Sequence, residues 1–170
     1  MGHSNIAVLD GGLPAWDAQG LPLVDVQPAH YPAGDFTAQL QPGLVKSYQD
    51  VVANAEAPAF TVVDARSEGR FNGTAPEPRP ELKSGRIPHS INIPYGWVLQ
   101  DGKLKSEAEL KQLFAERYQG ADDLVFSYGS GLTACIVLLA SEVAGHPGTA
   151  VYDGSWTEWA ELQGLKNPTT

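Results

Sequence analysis

Short apolar runs alternate along this chain with segments of helical character, starting near residue 44. Phe60-Thr61-Val62-Val63-Asp64 and Leu124-Val125-Phe126 are apolar runs of strand length. Ser90-Ile91-Asn92-Ile93 is a third short strand, stopped by Pro94, and residues 149–152 form a fourth. Helical segments lie between them. Ser47 can cap a helix running through about Glu56. Ser106 and Glu109 make a capping box for a helix through Tyr118, and residues 133–144 read as an apolar helix. Alternating β and α units predict an α/β fold, a doubly wound parallel sheet with helices on both faces. Ligands of such sheets bind beyond the carboxyl ends of the strands, where Asp64-Ala65-Arg66 and residues 127–133 both fall.

The second of these segments carries the candidate chemistry. Ser127-Tyr128-Gly129-Ser130-Gly131-Leu132-Thr133-Ala134-Cys135 joins an apolar strand to an apolar helix. A glycine-rich turn that opens a helix directs free backbone N–H groups toward one point and can hold an anion. The first loop position is where such a cradle would hold a nucleophile, and it is occupied by Tyr128. The pattern is that of an anion-handling site without its reactive atom.

Upstream of residue 44 the pattern changes. At an offset of 143 residues, Gly2-His3 matches Gly145-His146, Ala7-Val8 matches Ala150-Val151, Asp10-Gly11 matches Asp153-Gly154, and Trp16 matches Trp159. Each copy reads as a short strand, a turn and a short Trp-bearing helix. Because the second copy ends a domain, residues 1–20 are expected to be the tail of a preceding, similar domain. Residues 21–43, with Pro22, Pro28, Pro32 and Pro42, read as an extended linker, in which Phe36-Thr37-Ala38-Gln39-Leu40 alternates like a short edge strand. The main domain is then 44–170.

Composition narrows the function classes. With 170 residues, 42% hydrophobic and 18% charged, one globular domain with a real core is expected. A net charge of −9 argues against nucleic acid or an anionic membrane as partner. No apolar run approaches a membrane span, and the first residues lack the regions of a signal peptide, so a cytoplasmic location is expected. One cysteine and four scattered histidines provide no metal-ligand spacing, so neither a metal nor another cofactor is expected. Five of the eleven basic residues, Arg66, Arg70, Arg79, Lys83 and Arg86, fall in one window with three acids. A small anionic ligand and a solvated loop of weak ion pairs both fit that window.

Several motifs in order carry a family resemblance. Val63-Asp64-Ala65-Arg66, Gly69-Arg70-Phe71-x-Gly73, Pro76-Glu77-Pro78-Arg79-Pro80, Ser84-Gly85-x-Ile87-Pro88 and Tyr152-Asp153-Gly154-Ser155-Trp156-x-Glu158-Trp159 resemble a rhodanese domain. The resemblance is to the carboxyl-terminal, catalytic half of two-domain thiosulfate and mercaptopyruvate sulfurtransferases. It implies a rhodanese-like fold, a small anionic sulfur donor, and an amino-terminal rhodanese domain as partner. In that family a cysteine thiolate takes sulfur from the donor as a persulfide and passes it to a thiophilic acceptor.

The resemblance also assigns residues. Tyr128 falls at the cysteine's position; a phenol forms no persulfide, and its bulk would fill the space that donor sulfur enters. Gly129, Ser130, Gly131, Leu132 and Thr133 continue the loop, in the form closer to mercaptopyruvate enzymes. Ser130 matches a serine proposed for proton transfer there, whose His and Asp partners belong to the other domain. Arg70 and Arg79 match arginines that bind the substrate carboxylate, a geometry suited to guanidinium forks. Arg86 and His89 depart from the family, which commonly has His and Gly there. Asp64 is expected to order its loop through Arg66, the tryptophans to pack, and Cys135 to be a buried structural thiol.

By this mechanism the chain should be inactive. A natural loss, a deliberate substitution and a sequence error are all compatible with Tyr128. Two readings stay open: a sulfurtransferase domain disabled at Tyr128, and a non-catalytic anion-binding or protein-interaction module. A cysteine-dependent phosphatase is disfavoured, since no cysteine opens the loop and no arginine closes it. An apolar surface vacated by a preceding domain would favour self-association.

Overall fold

The computed structural model describes residues 2–25, 32–130, 133–146 and 149–167. Five parallel strands form the central sheet, in the order β1 (Val45–Lys46), β7 (Thr149–Tyr152), β6 (Asp123–Ser127), β2 (Phe60–Asp64) and β3 (Ser90–Asn92). A two-stranded antiparallel hairpin, β4 (Leu99–Gln100) with β5 (Lys103–Leu104), lies apart from it. The helices are α1 (Gly12–Ala18), α2 (Tyr48–Glu56), α3 (Glu68–Phe71), α4 (Glu107–Arg117), α5 (Ala134–Val143) and α6 (Ser155–Leu162).

Successive strand residues face opposite sides, so the apolar strands feed two cores. Val63, Leu124 and Phe126 pack with Leu110 and Phe114 of α4 and Ala134, Val137 and Ala140 of α5. Val62, Phe60 and Val125 pack on the other face with Val51 of α2 and Trp156, Trp159 and Ala160 of α6. The sheet is therefore covered on both sides, as the alternation predicts. The capping expectations also hold. Ser47 and Asp50 cap α2 reciprocally, and Ser106 and Glu109 do the same for α4.

Two strand expectations fail. Residues 36–40 form no strand; Phe36 and Leu40 are exposed, and among the described residues no strand pairs with them. Ala7-Val8 likewise remains outside any strand, whereas its counterpart in β7 sits between β1 and β6. The turn and helix of the first copy do form. Gly11 takes φ +83°, Trp16 Nε1 donates to the Pro22 carbonyl (3.1 Å), and Asp10 accepts the Leu104 amide (3.0 Å), tying this segment to the hairpin.

Cys135 is exposed, not buried. Ala134, Val137, Ala140 and Ser141 set the inward face of α5, and residue 135 is one step, about 100°, off that face. It lines an apolar groove of about 740 Å³ between α5, the hairpin and residues 6–12.

Candidate active site

β2 and β6 are adjacent and in register, with Asp64 opposite Ser127, so the segments that follow both strands emerge side by side. The Ala65 amide donates to the Ser127 carbonyl (2.8 Å), extending the pairing one residue beyond the sheet. Asn92 fastens the first segment from β3 by donating to the carbonyls of Asp64 and Arg66, both at 2.8 Å.

Beneath the site lies a buried chain of charges. Arg66 is fully buried. Its Nη2 donates to Asp64 Oδ2 (2.6 Å) and to the Gly85 carbonyl (2.5 Å), and its Nη1 donates to Glu77 Oε1 (2.6 Å). The guanidinium carbon lies 4.4 Å from the centre of the Trp156 ring. Burial pushes the Asp64 carboxyl up, and the Arg66 contacts pull against it. Asp64 thus orders its loop through Arg66, as expected from sequence. Glu77 passes the chain on to Arg70, accepting from its Nε (3.1 Å) and Nη2 (2.5 Å) through Oε2.

Arg70 is aimed at the loop after β6. Its Nη1 lies 3.5 Å from Tyr128 Oη, and its guanidinium carbon is 5.3 Å from the Tyr128 ring centre. Burial works against its charge, but the contacts with Glu77 and Tyr128 outweigh it, and the net shift is upward. Gly129 leaves room for this approach: a Cβ there would sit 2.8 Å from Arg70 Nη2 and push the guanidinium aside. Tyr128 is half-buried and meets Tyr95 edge to face, with ring centres 6.1 Å apart.

A cavity of about 180 Å³ opens above these groups, lined by Arg70, Glu77, Arg79, Tyr128, Ser130 and Thr157 among others. Arg79 stands at its exposed edge, paired with Glu161 (3.1 Å). The two arginines do line one pocket, but not as a matched fork: Arg70 is locked by Glu77, and Arg79 is loosely held in solvent. Ser130 is exposed and Thr133 immediately precedes α5, whose first turn receives no side-chain cap from it. Gly131 and Leu132 lie outside the described residues.

The first residues of the loop are tied to α6, while the cradle expected further along falls largely on Gly131 and Leu132, outside the described residues. The Tyr128 amide donates to Ser155 Oγ (3.1 Å), so it is already satisfied. The amides of Trp156 and Thr157 donate in turn to the carbonyls of Tyr128 (2.9 Å) and Gly129 (3.0 Å). Sequence reasoning missed the roles of Glu77, Ser155, Thr157 and Tyr95. His89, where the resemblance expects glycine, adopts φ +55°, a conformation that glycine takes without strain.

Residues 47–162 match the model of the rhodanese-like domain. The chain belongs to the rhodanese family. Human 3-mercaptopyruvate sulfurtransferase is 44% identical over 160 residues, covering 93% of this chain and 54% of that protein. Rat thiosulfate sulfurtransferase is 38% identical over 161 residues, with the same coverage. The 3-mercaptopyruvate sulfotransferase SseA of Escherichia coli superposes with a TM-score of 0.74 at 32% identity, over 90% of this chain and 57% of that one. This rhodanese domain therefore spans about half the length of the curated relatives it matches, and it corresponds to their carboxyl-terminal part. It is a sulfurtransferase-type domain related to both the mercaptopyruvate and the thiosulfate enzymes.

Proposed function

We propose that this domain is the catalytic-type half of a rhodanese-type sulfurtransferase, with Tyr128 at the position of the attacking cysteine, and that it holds a small anionic sulfur donor without turning it over. One observation carries the reading. Tyr128 opens the loop at the carboxyl end of β6, and the Arg70 guanidinium is fixed against it. A thiolate at that position would attack the outer sulfur of thiosulfate, with sulfite leaving, or the thiol sulfur of 3-mercaptopyruvate, with the enolate of pyruvate leaving. A new S–S bond would form as the donor's own bond to that sulfur breaks and its electron pair leaves with the donor remnant. The persulfide would then surrender its outer sulfur to a thiophilic acceptor. A phenol oxygen has no sulfur to carry, so transfer stops at this residue, while the cavity beside it, lined by Arg70 and Arg79, stays open to the donor's anionic group.

Arg70 supplies a positive group at the pocket floor, and Arg79 a second at its edge, which suits a carboxylate or sulfonate-like anion. Residues 1–20 are read as the tail of a preceding rhodanese-like domain that completes the pocket. The alternative, an anion-binding or interaction module, is favoured by one detail: Glu77 holds Arg70 at the pocket with no thiol beside it. Sulfur transfer from mercaptopyruvate and from thiosulfate to cyanide, run on the native chain and on Tyr128→Cys side by side, separates the two. Transfer only by the substituted chain supports the disabled-enzyme reading. Silence from both, with anion binding retained, supports the module.

A further inference from the structure

Among the described residues, three that are not glycine take a positive φ: His89, Asp101 and Ser155. His89 and Asp101 lie in exposed turns, whereas Ser155 is fully buried, at φ +54°. A strained, buried backbone persists where the surrounding structure makes use of it.

The internal repeat indicates what that use is. At the offset of 143, Ser155 corresponds to Gly12, which opens α1 as Ser155 opens α6, with nearly the same φ of +56°. The first copy fills this left-handed position with the residue that adopts it freely. The second copy accepts strain in exchange for a hydroxyl. Ser155 Oγ accepts the Tyr128 amide (3.1 Å) and donates to the Tyr152 carbonyl (2.8 Å). The repeat differs again two residues on, where Thr157 corresponds to Pro14. Thr157 donates to the Gly129 carbonyl twice, from its amide (3.0 Å) and from Oγ1 (2.6 Å). A proline can make neither bond. Serine and threonine thus stand in the copy that faces the loop after β6, at positions where the first copy has glycine and proline.

We propose that Ser155 and Thr157 are positioning residues that fix the backbone at residues 128 and 129, the place from which the nucleophile of this fold acts. The first turn of α6 is then part of the site, and not only a packing element. This rests on the sulfurtransferase reading above, and its test has one arm that does not.

In the native chain, Ser155→Gly removes the hydroxyl and relieves the strained φ, so the fold is retained. Amide hydrogen exchange at Tyr128 should rise by about tenfold or more, the scale of one lost hydrogen bond, with β6 unchanged. Unchanged exchange at Tyr128 overturns the proposal, whether or not any chain transfers sulfur. In the Tyr128→Cys background, Ser155→Gly should lower kcat for sulfur transfer by about tenfold to a hundredfold, the cost of a misplaced reacting atom. KM for the donor should stay within about twofold, because Arg70 and Arg79 are untouched. Thr157→Val should lower kcat and Thr157→Ser restore it. Equal kcat in parent and Ser155→Gly overturns the positioning role. Silence from Tyr128→Cys itself counts against the sulfurtransferase reading, and the exchange arm still decides the clamp.

Discussion

Replacing Glu77 by alanine should strip the pocket of its internal charge balance. Asp64 and Glu77 together offset Arg66 and Arg70, and the Glu77 side chain is 4% exposed against 0% for Arg66 and 13% for Arg70. Without Glu77, Arg66 keeps Asp64 and the Gly85 carbonyl but leaves Nη1 unpaired in the interior. Arg70 loses both bonds to Oε2 and can turn toward solvent. Breaking a buried ion pair costs about 3–5 kcal/mol. The contacts remaining to Arg66 and the freedom of Arg70 place this case near the lower end, at about 3 kcal/mol. For a domain of this size that is a fall in Tm of roughly 6–12 °C. Glu77→Gln keeps the shape and one acceptor and should lose about half as much. Urea unfolding of the three chains reads this directly, as a lower midpoint at unchanged slope. A Glu77→Ala chain within about 0.5 kcal/mol of native would refute the claim that the network holds Arg70 in place.

Three further outcomes are expected. Ser47 holds the Asp50 carboxyl below its ordinary value, Lys111 does so for Glu107, and Ser106 for Glu109. Their folded-state pKa values are depressed, so their stabilisation is complete above the ordinary carboxylate range near pH 4 and is lost as pH falls through the folded values; Ser47→Ala should flatten that loss, and an identical acid profile would contradict it. Cys135 should take up one equivalent of a thiol reagent in the folded chain without denaturant, and a thiol that reacts only on unfolding would contradict its placement on the outer face of α5. The apolar groove between α5 and residues 6–12 should drive weak self-association, seen as a concentration-dependent mass in sedimentation and abolished by Leu139→Lys; a constant monomer mass would refute it.

The fold was legible where local signals agreed with the global arrangement. The apolar runs of β2 and β6 and the capping boxes at Ser47 and Ser106 each point to one structure. Local pattern failed where a partner was needed: residues 36–40 alternate like a strand, but among the described residues no strand pairs with them. Cys135 was misplaced because its apolar neighbours in sequence outweighed helical phase, which puts it one step off the inward face of Ala134, Val137 and Ala140. The loop after β6 and the two arginines, singled out by local motifs, line one pocket. Glu77 and Ser155 act across 7 to 27 residues of chain, and no periodicity marks such bonds. A signal for Ser155 did exist, in the glycine and proline that occupy Gly12 and Pro14 of the first copy.

The most direct test of the central claim is the intact mass of the native and Tyr128→Cys chains after exposure to 3-mercaptopyruvate or thiosulfate. The account predicts one added sulfur atom on the introduced thiol and none on the native chain. Added sulfur on the native chain would move the nucleophile to Cys135. A Tyr128→Cys chain that gains none from either donor would contradict the assignment of this loop as a sulfur-transfer site.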